Sequence, residues 1–273
     1  MGMSAKIRDE YKKRLISVED ALKLVKSNYE IICGLAAAEP KLFMRELHTI
    51  KDKVENVSVL TCLPMEKYPF YIDESNEGHF VHEGWFYTGA IRSASHKINS
   101  FVTNHLHMAG TDRLSHRKPN IYAGVATPPD KNGYMSLSLS ATYEVDMLEA
   151  ADIVILEVNE KFPRTFGDTI IHINEVDHII EADYDPPEIP IPPSNEKDEK
   201  IAGFISEHLE DGVTLQLGIG GIPNAVGAAL THLRDIGIHT EMLTEGMAEL
   251  FEAGVINGKK KTLLPGKMVC TFA

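Results

Sequence analysis

The chain has 273 residues and a formal net charge of −13, from 27 Lys and Arg against 40 Asp and Glu, with 43% hydrophobic, 25% charged and 7% aromatic residues. This ordinary globular composition excludes a disordered, collagen-like or disulfide-framework chain. The acidic balance speaks against nucleic acid or an anionic membrane as a partner, since both want a basic face, while a small polyanion held by backbone N–H groups and a few lysines stays compatible.

The N-terminal stretch MGMSAKIRDEYKKRL lacks the apolar core of a signal peptide. No apolar run approaches the roughly 18 residues of a membrane span, so the chain reads as cytoplasmic. Ser17 and Asp20 form an S-x-x-D capping signal for a helix starting near residue 17. The compact apolar run 30–34 (EIICG) reads as a buried strand. The chain then turns, and Pro40 suits the first turn of a helix running to about Leu47. The next strand is 57–63 (VSVLTCL). Strand, turn, helix, strand implies a largely parallel sheet with helices on its faces.

The same theme returns at 121–160. IYAGVAT is a strand, PPDKNG (128–133) a turn, and 134–139 (YMSLSL) alternates with period two, as a half-exposed strand would. Residues 142–151 have helical spacing, and 153–158 (IVILEV) is a buried strand. Five prolines within 186–193 permit neither helix nor central strand, so this stretch reads as a stiff connector. Asn195 then caps a new helix. A strand at 213–217, a glycine loop, a helix from about Asn224, a short strand ending near Thr240 and a further helix follow. The segment 267–273 (KMVCTFA) has the pattern of a buried strand, at which the βα alternation breaks off. The expected architecture is α/β, with two open, mainly parallel sheet units and helices on both faces. Residues 1–185 form the first domain, 186–194 a Pro-rich linker, and 195–273 an incomplete second domain.

The sharpest local feature is Gln216-Leu217-Gly218-Ile219-Gly220-Gly221-Ile222-Pro223-Asn224, a strand feeding a glycine cluster that feeds a helix. Glycines let another group approach the backbone closely, and a helix N-terminus adds unpaired N–H donors and a positive dipole end. Gly218, Gly220, Gly221 and Asn224 are therefore candidates to hold a phosphate or a developing oxyanion. A tight turn with no ligand fits the same residues. The dinucleotide fingerprint G-x-G-x-x-G fails at Pro223, although Glu241 lies about twenty residues on, where that fold places its ribose-binding acid. Glu241 thus reads as ribose acceptor, chemical participant or solvated carboxylate.

The other candidates have blander readings. Cys33, Cys62 and Cys270 are odd in number, form no C-x-x-C and sit in apolar runs, as buried reduced thiols do. His105 and His107 form H-x-H without a third ligand at recognisable spacing, and His79, His82 and Glu83 lack the H-E-x-x-H order, so no metal site is expected. Arg164 and Asp168 brace a loop or meet a substrate carboxylate, Lys259, Lys260 and Lys261 read as a solvated turn, and Tyr68, Phe70 and Tyr71 as core or interface.

GIHTEM (237–242) after GIGGIPNAV resembles the acetyl-CoA hydrolase/transferase family, in its 4-hydroxybutyrate CoA-transferase branch. CGLAAAEP (33–40), PPDKNGYMSL (128–137) and the E-V-N…P-R-T-x-G-D-x-x-I-H segment (157–172) resemble further family motifs in the same order. The resemblance implies an acyl-CoA:carboxylate CoA-transferase for short acids such as acetate, butyrate or 4-hydroxybutyrate, and a homo-oligomer. It implies coenzyme A thioester as substrate, with no separate cofactor and no metal. Glu241 matches the Glu of the family's H-T-E-M motif. The resemblance makes it the nucleophile that gives an acyl-glutamyl anhydride and then a glutamyl-CoA thioester. A carboxylate is suited to this, because an anhydride keeps the acyl group activated. The resemblance covers the N-terminal two-thirds of the family pattern, so these residues alone are expected to turn over weakly or not at all. An acyl-CoA hydrolase with the same nucleophile is the first alternative. A nicotinamide-dependent oxidoreductase and a non-catalytic acyl-CoA-binding subunit are the others.

Overall fold

A strand covered on both faces buries every residue, and β1 (Glu30–Cys33) does so: Ile31, Ile32 and Cys33 are buried, and so is Glu30. The structure is a computed structural model that describes residues 3–92, 94–190 and 193–273. The chain forms two compact units, 1–187 and 188–273. Of the Pro-rich stretch, Ile191 and Pro192 lie outside the described residues.

In the first unit the strands after β1 are β2 (Val57–Cys62), β3 (Phe80–Phe86), β4 (Asn99–Phe101), β5 (Ile121–Ala126), β6 (Tyr134–Ser136), β7 (Ile153–Asn159), β8 (Ile170–His172) and β9 (His178–Ala182). Seven of them make one parallel sheet in the order β4-β3-β2-β1-β5-β7-β9. β1, β2 and β5 are buried at every residue, as expected for strands covered on both faces. The chain builds outward from β1 to β4, then returns to β5 on the other side of β1. The switch point of this open sheet therefore lies between β1 and β5, where ligands of such sheets dock at the carboxyl ends.

The helices of this unit are α1 (Ala5–Arg14), α2 (Val18–Leu22), α3 (Lys41–Glu46), α4 (Pro69–Ile72), α5 (Ala109–His116) and α6 (Glu144–Ala150). Ser17 caps α2 by accepting from the Asp20 N–H at 3.0 Å, and Pro40 stands at the N-cap of α3. Tyr68, Phe70 and Tyr71 are fully buried and pack together as core, Tyr71 edge-on to the other two rings.

The segment 134–139 departs from its expected half-exposure. Its regular part is only β6, antiparallel to β8, and Ser136, Ser138 and Ser140 are buried. The serines face inward because each has a partner there. Ser136 Oγ donates to Thr165 O, Ser138 Oγ to Pro163 O, and Ser140 Oγ to Glu144.

The second unit begins with α7 (Glu196–Ser206), capped by Asn195, whose side chain accepts from the Lys197 and Asp198 N–H groups. β10 (Thr214–Leu215) pairs in parallel with β11 (Gly237–Ile238), and α8 (Gly221–Ala229) and α9 (Glu245–Glu252) pack on them. Val226, Leu230, Ile238, Met247 and Leu250 form the core here. The segment 267–273 is not the buried strand expected. It is bridged to the unit at His239–Val269 and Met242–Phe272 and by hydrogen bonds to the 238–243 stretch, and among its residues Phe272 alone is buried. Cys270 is consequently exposed, contrary to the expectation for all three thiols, because its strand has a neighbour on one side; Cys33 and Cys62 are buried.

Glu30 opens β1 and is fully buried, yet Arg113 engages both its oxygens, at 2.9 and 2.5 Å, and Arg117 adds a contact at 3.1 Å. Removing one member of a buried pair leaves the other charge without compensation, at a cost of about 3 kcal/mol. Glu30→Ala is expected to destabilise unit 1 by that amount in urea unfolding, whereas Lys118→Ala, which removes only the exposed pair with Asp152, leaves the midpoint unchanged.

Candidate active site

The glycine turn follows β10 directly. α8 begins at Gly221, three residues before the expected start, with Gly220 as its N-cap at φ +120°, a value an L side chain rarely adopts. Pro223 is then the third helical residue, where its missing N–H leaves no intrahelical bond unmade. No side chain caps the helix, so the Gly221 and Ile222 N–H groups lack a side-chain acceptor; the Asn224 N–H bonds to Gly220 O at 3.2 Å.

The three glycines are not equivalent. A Cβ on Gly220 would meet nothing within 4 Å, and on Gly218 only the Pro223 ring, at 3.8 Å. A Cβ on Gly221 would lie 2.4 Å from Asp198 Oδ2. Asp198 belongs to the first turn of α7, where it accepts from the Asn195 N–H. Gly221 therefore lets α7 approach α8, while Gly218 and Gly220 border open space.

Glu241 lies three residues past β11, on a chain held from both sides. The Thr240 hydroxyl donates to Leu217 O at 3.0 Å, tying this strand to the entry of the glycine turn. On the other side Glu241 O accepts from the Thr271 and Phe272 N–H groups, at 3.0 and 3.2 Å, and from the Thr271 hydroxyl. The side chain is exposed and has no hydrogen-bond or ion-pair partner among the described residues. Strand alternation puts His239 on the same face as Glu241. The ladder sets Gln216 opposite His239, and both are exposed. Leu215, Leu217 and Ile238 face the other way, toward the helices. One face of this small sheet is thus helix-covered and apolar, and the other is open, polar and carries Glu241.

The remaining candidates are structural in this fold. His82 is buried between Thr61 Oγ1 and Asn99 Oδ1, each at 2.8 Å, and burial lowers its pKa to about 4, so it is neutral. His79 bonds to Val54 O, and Glu83 pairs with Arg113. His105 and His107 stand with ring centres 5.7 Å apart, and no group of three or more His, Cys, Asp or Glu poised to hold a metal occurs among the described residues. Arg164 donates twice to Tyr134 O, bracing the turn after β5. Lys261 corrects the reading of 259–261 as wholly solvated. It is 5% exposed, because its ammonium caps the carbonyls of Ile238 and Lys267, and burial lowers its pKa. A cavity of about 300 Å³ lies against α1 and β9, lined by Arg8, Tyr11, Lys12 and Glu181, and holds none of the predicted site residues.

Sequence reasoning missed the buried carboxyls of unit 1. Besides Glu30, the side chains of Glu39, Glu144 and Glu157 are fully buried. Glu144 accepts from the Leu35, Thr142 and Tyr143 N–H groups and the Ser140 hydroxyl. Glu157 accepts from the Phe43 N–H and the Tyr184 hydroxyl. Their charged residue type gives no burial signal; the usable clue was a Glu inside IVILEV, an otherwise unbroken apolar strand.

The mixed α/β fold, with its parallel sheet unit followed by a smaller unit, is that of solved CoA-transferases. A solved 4-hydroxybutyrate CoA-transferase from Porphyromonas gingivalis matches with a TM-score of 0.84 at 31% identity, over 97% of this chain and 63% of that one. RipA from Yersinia pestis matches with a TM-score of 0.91 at 27% identity, over 98% and 65%. Residues 3–191 match the acetyl-CoA hydrolase/transferase N-terminal domain, and the chain belongs to that family. The succinyl-CoA:cyclohexane-1-carboxylate CoA transferase of Geobacter metallireducens is 38% identical over 265 residues, 97% of this chain and 60% of the relative. The chain spans about 60% of the length of the curated relatives it matches. Among the described residues no helix is long and apolar enough to cross a membrane.

The glycine geometry makes a direct prediction. Gly220→Ala is expected to destabilise unit 2 by about 2 kcal/mol through its positive φ, while Gly218→Ala changes stability by less than about 0.5 kcal/mol. Hydrogen exchange of α8 in the two variants measures both.

Proposed function

We propose that this chain carries the nucleophilic part of an acyl-CoA:carboxylate CoA-transferase for short-chain acids, with Glu241 as the attacking group. The observation that carries the reading is the carboxylate of Glu241. It is unpartnered among the described residues, points to an open face, and hangs from a strand that Thr240 ties to the glycine turn. Relatives named as CoA transferases for 4-hydroxybutyrate and butyrate support the short-chain class, and the one named for cyclohexane-1-carboxylate supports a carboxylate acceptor more broadly.

In this mechanism a Glu241 oxygen adds to the acyl-CoA carbonyl, the C–S bond breaks, and CoA leaves as thiolate. The enzyme then holds an acyl-glutamyl anhydride. The thiolate attacks the glutamyl carbonyl, the acid departs as carboxylate, and a glutamyl-CoA thioester remains. The acceptor carboxylate attacks that thioester, and the same steps in reverse give the new acyl-CoA and free Glu241. No proton is gained or lost overall, so a neighbouring base is not required. Each addition creates an oxyanion. The donors best disposed toward it are the N–H groups of the turn at Gly218 and Gly220 and the uncapped start of α8, and one such donor lowers the barrier by about 3 kcal/mol. The openness of the face around Glu241 favours a second outcome, hydrolysis, since water that reaches the anhydride diverts it.

In a chain completed to the length of its relatives, incubation with butyryl-CoA followed by hydroxylamine is expected to convert one glutamate to its hydroxamate, on the peptide carrying residues 237–247, and to leave Glu241→Gln unmodified. Modification of another residue, or of the Glu241→Gln chain, overturns the assignment. Acetate-dependent against acetate-independent loss of thioester separates transfer from hydrolysis.

A further inference from the structure

Glu39 follows a tight loop at the carboxyl end of β1. The loop is strained. Ala36 sits at φ +48°, in the left-handed region, and a Cβ on Gly34 would lie 2.4 Å from Ala38 O. Two buried carboxyls hold it. Glu144 accepts the Leu35 N–H at 2.9 Å. At the other end Glu39 reaches across to the segment after β2, where its Oε2 accepts from the Met65 N–H and the Tyr68 hydroxyl, both at 3.1 Å. Its Oε1 is buried with no partner among the described residues.

An ionised carboxylate does not rest in such a place. It has four lone-pair sites, of which two are used, and burial without donors strongly disfavours the charge. The surrounding groups do not offset this. Glu66 faces it with like charge. Lys41, the near cation, is drawn to Glu66 at 3.3 Å and over the Tyr184 ring at 5.1 Å. Arg45 is bound to Glu66 through both its oxygens. The remaining titratable neighbours are Tyr68 and Tyr71, which stay neutral, the buried Cys33, and Glu157 on β7.

We propose that Glu39 is a protonated carboxyl latch that pins the 34–40 loop to the 63–68 segment beside the β1–β5 switch point, and that loss of its proton releases the two from each other. Burial raises the Glu39 pKa to about 8, against about 4.3 for a solvated glutamate. The closed form therefore binds the proton more tightly than the open form. Between about pH 4.5 and 8 the closed latch is protonated and the open one ionised, so the opening constant rises up to tenfold per pH unit; above about pH 8 both are ionised and it levels off. Stability held by the latch is fully present at acid pH and is lost as pH rises through this window. Glu157, raised to about 7 by burial, follows the same sign at the start of α3, and the Phe43 N–H reports it separately.

The test is hydrogen exchange of the Met65 and Phe43 amides between about pH 5 and 9, corrected for intrinsic base catalysis, in the 273-residue chain. The Met65 opening constant is expected to rise at least tenfold across the window in the wild type and to stay flat in Glu39→Gln, while Phe43 keeps its pH dependence in that variant and loses it in Glu157→Gln. A flat wild-type profile at Met65, or an unchanged rise in Glu39→Gln, overturns the latch. Should Glu39→Gln not fold, the infrared band of a protonated carboxyl in Glu157→Gln protein decides. It must be present near pH 6 and lost near pH 9, and its absence near pH 6 overturns the proposal.

Discussion

A carboxyl taken out of water must find donors or a proton, or the fold does not close around it. Unit 1 meets that constraint at four glutamates, and each solution ties parts of the chain that are distant in sequence. Glu30 draws Arg113 and Arg117 onto the start of β1. Glu144 binds the loop after β1 from the first turn of α6, and Glu157 binds the start of α3 from β7. Glu39 links the loops after β1 and β2. Apolar packing gives the sheet its stability, but the arrangement of the loops at its carboxyl edge rests on Glu39, Glu144 and Glu157.

Unit 2 works under the opposite condition. Its sheet is small, one face is spent on a helix-packed core, and the polar side chains lie on the other. Gly221 permits α7 and α8 to approach, whereas Gly218 and Gly220 keep a wall of the turn free of side chains. A single glycine-rich string thus serves two purposes that sequence alone does not separate.

Much of this was legible from residue patterns. The runs at 30–34, 57–63, 121–127 and 153–158 became β1, β2, β5 and β7, because strands buried on both faces are predominantly apolar. The Ser17 and Asn195 caps stand where their side chains implied. β3, β4 and β9 were not read, since Phe80–Phe86 carries His82 and Glu83 among its apolar residues and the strand at Asn99–Phe101 is only three residues long. Serines 136, 138 and 140 misled for a related reason: alternation signals an exposed face only when the polar members face water, and here they satisfy buried carbonyls and Glu144. In unit 2 the strand–glycine–helix order was visible. The helix start, the contact of Asp198 with Gly221 and the buried acids were not, because each depends on chain segments meeting in space.

The bond from Thr240 to Leu217 O has a mechanical meaning. It braces the tip that bears Glu241 against the root of the glycine turn, so that the two shift as one piece when neighbouring chain breathes. In the proposed mechanism Glu241 and the dipoles of the turn then keep their mutual aim without being re-sorted at each turnover, and the electrostatic work is done by folding in advance.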